Sequence, residues 1–177
     1  GSRLELPWLS GGVVRNLTLA GVNIVSTRKN ALVGAVAGVA TGTGHISNVH
    51  VSGSVACSGP GCRAGGLVGQ MYAPVAIGRS SGAAWVTSGN GGAAGGLAGQ
   101  SGGTIAKSYA TGFVSCGTNC AAGGLAGHTD LESAISNSFS AGPVRGTDDG
   151  AAGAIAGTQY GQVTRVYSTG SVQLAAD

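Results

Sequence analysis

Ala94-Gly95-Gly96-Leu97-Ala98-Gly99 is followed, after a gap of five residues, by Ile105-Ala106-Lys107-Ser108-Tyr109-Ala110-Thr111-Gly112. The reading of the fold turns on this stretch because both halves recur. The first half returns at 33–38, 64–69, 122–127 and 152–157, with final glycines 31, 30, 28 and 30 residues apart. The second half returns at 46–53, 135–142 and 163–170, with 75–82 as a degenerate copy and 14–21 as a leading copy without a first half. The chain therefore reads as five full repeats plus a part-repeat. Apolar runs this short, split by short loops, fit strands and not helices. A period of about 30 residues with two or three strands per unit predicts an all-β parallel β-solenoid of about five coils.

The columns of the repeat support that fold. Val14, Ile46, Val75, Ile105, Ile135 and Val163 align as one aliphatic ladder. Val36, Leu67, Leu97, Leu125 and Ile155 align as a second, and Val55, Val86, Val114, Val144 and Val172 as a third. Three inward ladders predict a roughly triangular cross-section. Ser47-Asn48 and Ser136-Asn137 place two outward residues in succession, which breaks strand alternation and predicts a corner. The glycines beside the Leu ladder predict either close backbone approach or positive φ at the bends.

Composition narrows the function classes. Only 8% of the 177 residues are charged, against roughly 25% in an average soluble protein. The chain has 36 Gly but only four Pro and no Gly-X-Y period, which excludes collagen. Two Glu, two Lys and eleven Leu are too few strong helix formers for a bundle. The nine Lys and Arg are scattered, so no nucleic-acid partner is expected. No apolar stretch reaches the roughly 18 residues a membrane span needs, so no membrane insertion is expected. Gly1-Ser2 reads as a cloning scar. Residues 1–12 are expected to hold that scar and an N-terminal cap built on Pro7 and Trp8, and residues 13–177 a single solenoid domain. The open C-terminal edge is expected to continue into further coils or domains of a parent protein, or to self-associate.

The paired runs resemble the GLUG motif, named for its Gly-Leu-Gly pattern. Residues 94–99 with 105–114 are the closest copy, and 122–127 with 135–144 are nearly as close; the resemblance covers about residues 30–175. GLUG repeats occur in large bacterial surface and secreted proteins, among them filamentous-haemagglutinin-like adhesins and the non-catalytic parts of IgA-specific metallopeptidases. The resemblance implies a parallel β-solenoid, secreted or on the bacterial cell surface. It brings no substrate, and the zinc motif His-Glu-x-x-His of those peptidases is absent from this sequence.

The four cysteines form two local pairs, Cys57/Cys62 and Cys116/Cys120, in the same loop of coils two apart. Stacking would separate those loops by about 9.6 Å, beyond the roughly 7 Å between Cα atoms that a disulfide tolerates. The expected bridges are Cys57–Cys62 and Cys116–Cys120, each closing and protecting an exposed loop. Such bridges suit an oxidising compartment. The same separation argues against one shared tetrahedral zinc.

Other chemistry is weaker. Gly78-Arg79-Ser80-Ser81-Gly82 matches the Gly-x-Ser-x-Gly nucleophile elbow, but it lacks the strand-turn-helix setting and aligns with the repeat instead. His45, His50 and His128 share no metal-ligand spacing, and Asp130, Glu132, Asp148 and Asp149 read as solvated loop acids. Asn16-Leu17-Thr18 is a sequon by pattern only. No metal, cofactor or catalytic activity is expected.

The most interesting column is Thr18, His50, Arg79, Tyr109, Phe139 and Tyr167. Inward Leu17 and Val49 beside it make it outward in the first coils, whereas Ser108 and Ser138 would also permit inward aromatics later. Constant register favours outward. An outward ladder would stack sugar rings, meet a protein, or stiffen the wall. The leading expectation is a structural, presenting segment of a secreted bacterial adhesin, whose partner is a glycan or protein on a host or neighbouring cell. The alternatives are a carbohydrate- or protein-binding module using His50, Arg79, Tyr109, Phe139 and Tyr167, or an accessory solenoid of a surface peptidase. An ice-binding face would need regular Thr rows, and Ser52, Ser81, Thr111, Ala141 and Thr169 are too irregular.

Overall fold

The computed structural model describes residues 8–147 and 149–175. Every regular element there is a strand, and every strand pairing is parallel. No helix among them is long and apolar enough to cross a membrane. The chain winds as a parallel β-solenoid with three walls. The first wall stacks six strands, Trp8–Ser10, Ala37–Thr41, Val68–Met71, Ala98–Ser101, Ala126–Thr129 and Ala156–Gln159. The second stacks five, Leu32–Gly34, Arg63–Gly65, Ala93–Gly95, Ala121–Gly123 and Ala151–Gly153. The third, longer wall begins with Val13–Ser26 and His45–Cys57 and ends at Val172–Ala175. The stack has about six turns, one more than the count of full repeats, because the leading part-repeat completes a rung.

Two kinds of corner turn the chain. The long wall bends at Asn16, Asn48, Arg79, Lys107, Asn137 and Arg165, whose φ values lie between 49° and 55°. Each stands two residues after the first ladder, where the pair of outward residues predicts the corner. Asn tolerates this left-handed conformation better than other residues with side chains. The corner between the second and first walls carries the Leu ladder, in which Leu67 N–H donates to Leu97 C=O and Leu97 N–H to Leu125 C=O. Here close approach, not positive φ, demands glycine: a Cβ on Gly96 would collide with the Gly124 carbonyl oxygen and the Ala110 methyl.

The first ladder is Val14, Ile46, Ile77, Ile105, Ile135 and Val163. This corrects the expected alignment, which places Val75 in the column. Val75 is buried, but it lies where the loop enters the wall, in a column with Gly44 and Gly103. Both positions are apolar and inside, so burial alone cannot separate them. The left-handed Arg79 two residues after Ile77 sets the register. The third ladder runs as expected from Val55 to Val172 and is extended by Ile24.

Between the aliphatic ladders the core is thin, with an alanine column of Ala64, Ala94 and Ala122. A buried serine column stands beside the first corner. The Ser80, Ser108 and Ser138 hydroxyls each accept the N–H of the preceding coil (Val49, Ser80 and Ser108) at 3.1 Å. Each also donates to the carbonyl two residues earlier in its own coil, at 2.8–2.9 Å. These bonds satisfy backbone groups that the corner takes out of the ladder.

Candidate functional site

The long wall presents the predicted aromatic column outward. The column is Thr18, His50, Ser81, Tyr109, Phe139 and Tyr167. Arg79 is not in it: the two-residue shift of the third coil puts Ser81 there and Arg79 at the left-handed corner. The Tyr109 and Phe139 rings lie 4.9 Å apart and 2° from parallel, and Phe139 and Tyr167 lie 5.1 Å apart and 8° from parallel. Rings stacked rung on rung cover one another's faces and turn their edges to solvent. Sugar stacking needs a free ring face, and the end ring Tyr167, 60% exposed against 37% for Tyr109, offers the most. Four residues further along the wall, Trp85 and Phe113 form a second, tilted pair at 5.5 Å.

His50 Nδ1 lies 2.7 Å from Ser81 Oγ, and its Nε2 lies 3.3 Å from Asn48 Oδ1. The arrangement has the outline of a nucleophile-base-orienter set. Ser81, however, is only 7% exposed, with Tyr109 on the next rung. Ser80, the central residue of the elbow-like run, is fully buried in the serine column. His45 is exposed and apart from the other two histidines. Asp148 lies outside the described residues. No group of three His, Cys, Asp or Glu residues among the described residues is arranged to hold a metal ion.

Both disulfides join as expected, Cys57–Cys62 and Cys116–Cys120, with Cα atoms 6.0 and 5.8 Å apart. The register places Ser88 between Cys57 and Cys116 in the stack, so the bridges sit two coils apart. All four cysteines are buried within the core cluster. The bridges therefore seal the corner between the long and second walls, and do not merely guard a projecting loop.

A second surface escaped the sequence reading. The first and second walls meet in a concave corner along the solenoid. Its floor is Arg63, Ala93, Ala121 and Ala151 from one wall and Gln100, His128 and Thr158 from the other, with Gln70 next in the same column. Ala93 and Ala121 point outward yet are only 4% and 9% exposed, and Gln70 is 6% exposed. Two adjoining hollows of about 250 and 460 Å³ share Gly92, Ala121 and His128. The polar column was legible as the residue after the closing glycine of the last four first runs, Gln70, Gln100, His128 and Thr158, with Val39 at that place in the earliest. Only the folding of two walls against each other shows that it lines a groove.

These features define a disulfide-linked parallel β-solenoid with an outward aromatic ladder and a polar groove. No family model matches the chain, and no curated protein matches it. Among solved structures, it is similar to the crystal structure of a candidate immunoglobulin A1 protease from Bacteroides ovatus, at 26% identity and a TM-score of 0.76. The match covers 95% of this chain and 55% of that one, so this chain spans about half of its neighbour's length.

Proposed function

We propose that this chain is a non-catalytic, presenting segment of a larger secreted bacterial surface protein, in which the solenoid holds a recognition region away from the cell. The observation that carries this reading is the unbroken stack: the Ile, Leu and Val ladders and the serine column run in register from coil to coil. Such a stack makes a stiff rod whose length is set by coil number. The two disulfides support an extracellular setting, and the GLUG-like runs support the same class of proteins. An adhesin is the leading context, with a host or neighbouring-cell glycan or protein as partner. The Bacteroides ovatus neighbour supports a second context, an accessory solenoid of a surface peptidase whose catalytic domain lies elsewhere.

The test is direct. Purified chain with intact disulfides should scatter as a rigid particle only about 30 Å along the stack, six coils at about 4.8 Å each, and leave immunoglobulin A1 uncut over prolonged incubation. Cleavage that co-purifies with the chain and disappears in Ser81→Ala would overturn the non-catalytic reading, and a collapsed or flexible particle would overturn the presenting one.

A further inference from the structure

We infer that the concave corner between the first and second walls is a binding groove for a short, uncharged oligosaccharide. The inference does not rest on the presenting role, since a spacer needs no such groove. Its polar side is a row, Gln70–Gln100–His128–Thr158, with one residue per rung at about 4.8 Å. Gln70 is buried at one end against Arg63, so the row offers amide, imidazole and hydroxyl groups over about 10 Å. Amide, imidazole and hydroxyl groups can each donate or accept a hydrogen bond, which suits the hydroxyls of a sugar.

The row is held in place before any ligand arrives. Asp130 reaches back from the His128 coil to the coil before it, where Gln100 Nε2 donates to Asp130 Oδ1 at 2.8 Å. His128 Nε2 approaches the same oxygen at 3.4 Å. Gly102 lets the carboxylate pass, because a Cβ there would sit 3.0 Å from Asp130 Oδ2. At the other end, Arg63 Nη1 donates to Gln70 Oε1 at 3.4 Å. Side chains fixed in this way lose little freedom on binding. The Tyr160 ring, 5.4 Å from the His128 ring and 60% exposed, stands beside the row, where sugar C–H groups can reach it.

The chemistry selects the occupant. Arg63 is offset by Asp130 and Asp149, so the groove carries no strong charge for an acidic ligand. An extended peptide would seek unpaired backbone for strand addition, but the backbone of these floor strands is committed to the coils above and below. Dipolar side chains, small alanines opposite them and one rim aromatic favour a neutral sugar chain.

The test is a screen of the purified, disulfide-intact chain against neutral oligosaccharides, acidic oligosaccharides and peptides, with titration calorimetry on any hit. Three variants run beside it: Gln100→Ala/His128→Ala removes the row, Ala121→Leu fills the floor, and Tyr109→Ala/Tyr167→Ala alters the distant aromatic column. Thermal unfolding checks each fold, and Thr158→Arg, at the less buried end, replaces any groove variant that fails. The expected result is saturable binding of a neutral oligosaccharide, weakened at least tenfold by each groove variant and unchanged by the aromatic one. Binding that survives the groove variants, binding confined to acidic glycans or peptides, or no binding at all would overturn the inference. None of these results bears on the rigidity of the stack or on cleavage, so the presenting role stands or falls separately.

Discussion

Two serines in the core should respond in opposite ways to the same substitution. Ser108 and Ser140 are both buried, and both would lose one oxygen on replacement by alanine. Ser108 Oγ accepts the Ser80 N–H at 3.1 Å and donates to the Ala106 carbonyl at 2.9 Å. Ser108→Ala therefore strands a buried backbone N–H, at a cost of about 1–3 kcal/mol. Ser140 Oγ is buried with no hydrogen-bond partner, and the same position one coil earlier is already alanine, Ala110. Ser140→Ala removes an unsatisfied hydroxyl and should leave stability unchanged or raise it by up to about 1 kcal/mol. With a urea m-value of about 2 kcal/mol/M, a 2 kcal/mol loss in Ser108→Ala lowers the unfolding midpoint by about 1 M. Urea titrations followed by circular dichroism, with the slope checked for constancy, read both variants. Equal losses in the two would refute the account of the serine column, as would no change in Ser108→Ala.

Other outcomes follow from the same structure. Replacing either cysteine pair by serine should cost about 2 kcal/mol, the chain-entropy value for such short loops; peptide mapping without reduction should find only the two local bridges. Leu97→Ala, in the middle of the stack and fully buried, should cost about 2–5 kcal/mol. Ile155→Ala, at a partly buried position of the last coil, should cost clearly less by the same urea assay. Lys107→Gly, at a φ of 52°, should raise stability by about 0.5 kcal/mol, because relief of left-handed strain slightly exceeds the entropy glycine adds to the unfolded chain.

The solenoid was legible because its cause is periodic. Ladders of Ile, Leu and Val recur at near-constant spacing, and any other register would turn them to solvent. The first corner was legible through Ser47-Asn48 and Ser136-Asn137, where alternation fails. The third coil was misread because Val75 and Ile77 are both apolar and both buried. The corner there is carried by Arg79, whose type does not announce a left-handed backbone. The same shift removed Arg79 from the candidate site and put Ser81 in its place. The aromatic column was correctly placed outward, but its face-to-face stacking, which hides most of the ring faces, was not in view.

The sequence by itself determined the coil period, the strand content, the inward ladders and the local pairing of Cys57 with Cys62 and Cys116 with Cys120. Each depends on spacing within one repeat, or on the pattern one repeat shares with the next. Only the tertiary structure decided the register of the third coil, the burial of the disulfides in a wall corner, and the groove where Arg63 and Ala93 meet Gln100 and His128. These depend on atoms from different walls and different coils, such as the Asp130 carboxylate reaching back 30 positions to Gln100. Repeat spacing stacks like on like along the axis; what one wall presents to another across a corner is set by the bend of the backbone and by the bulk each glycine leaves out.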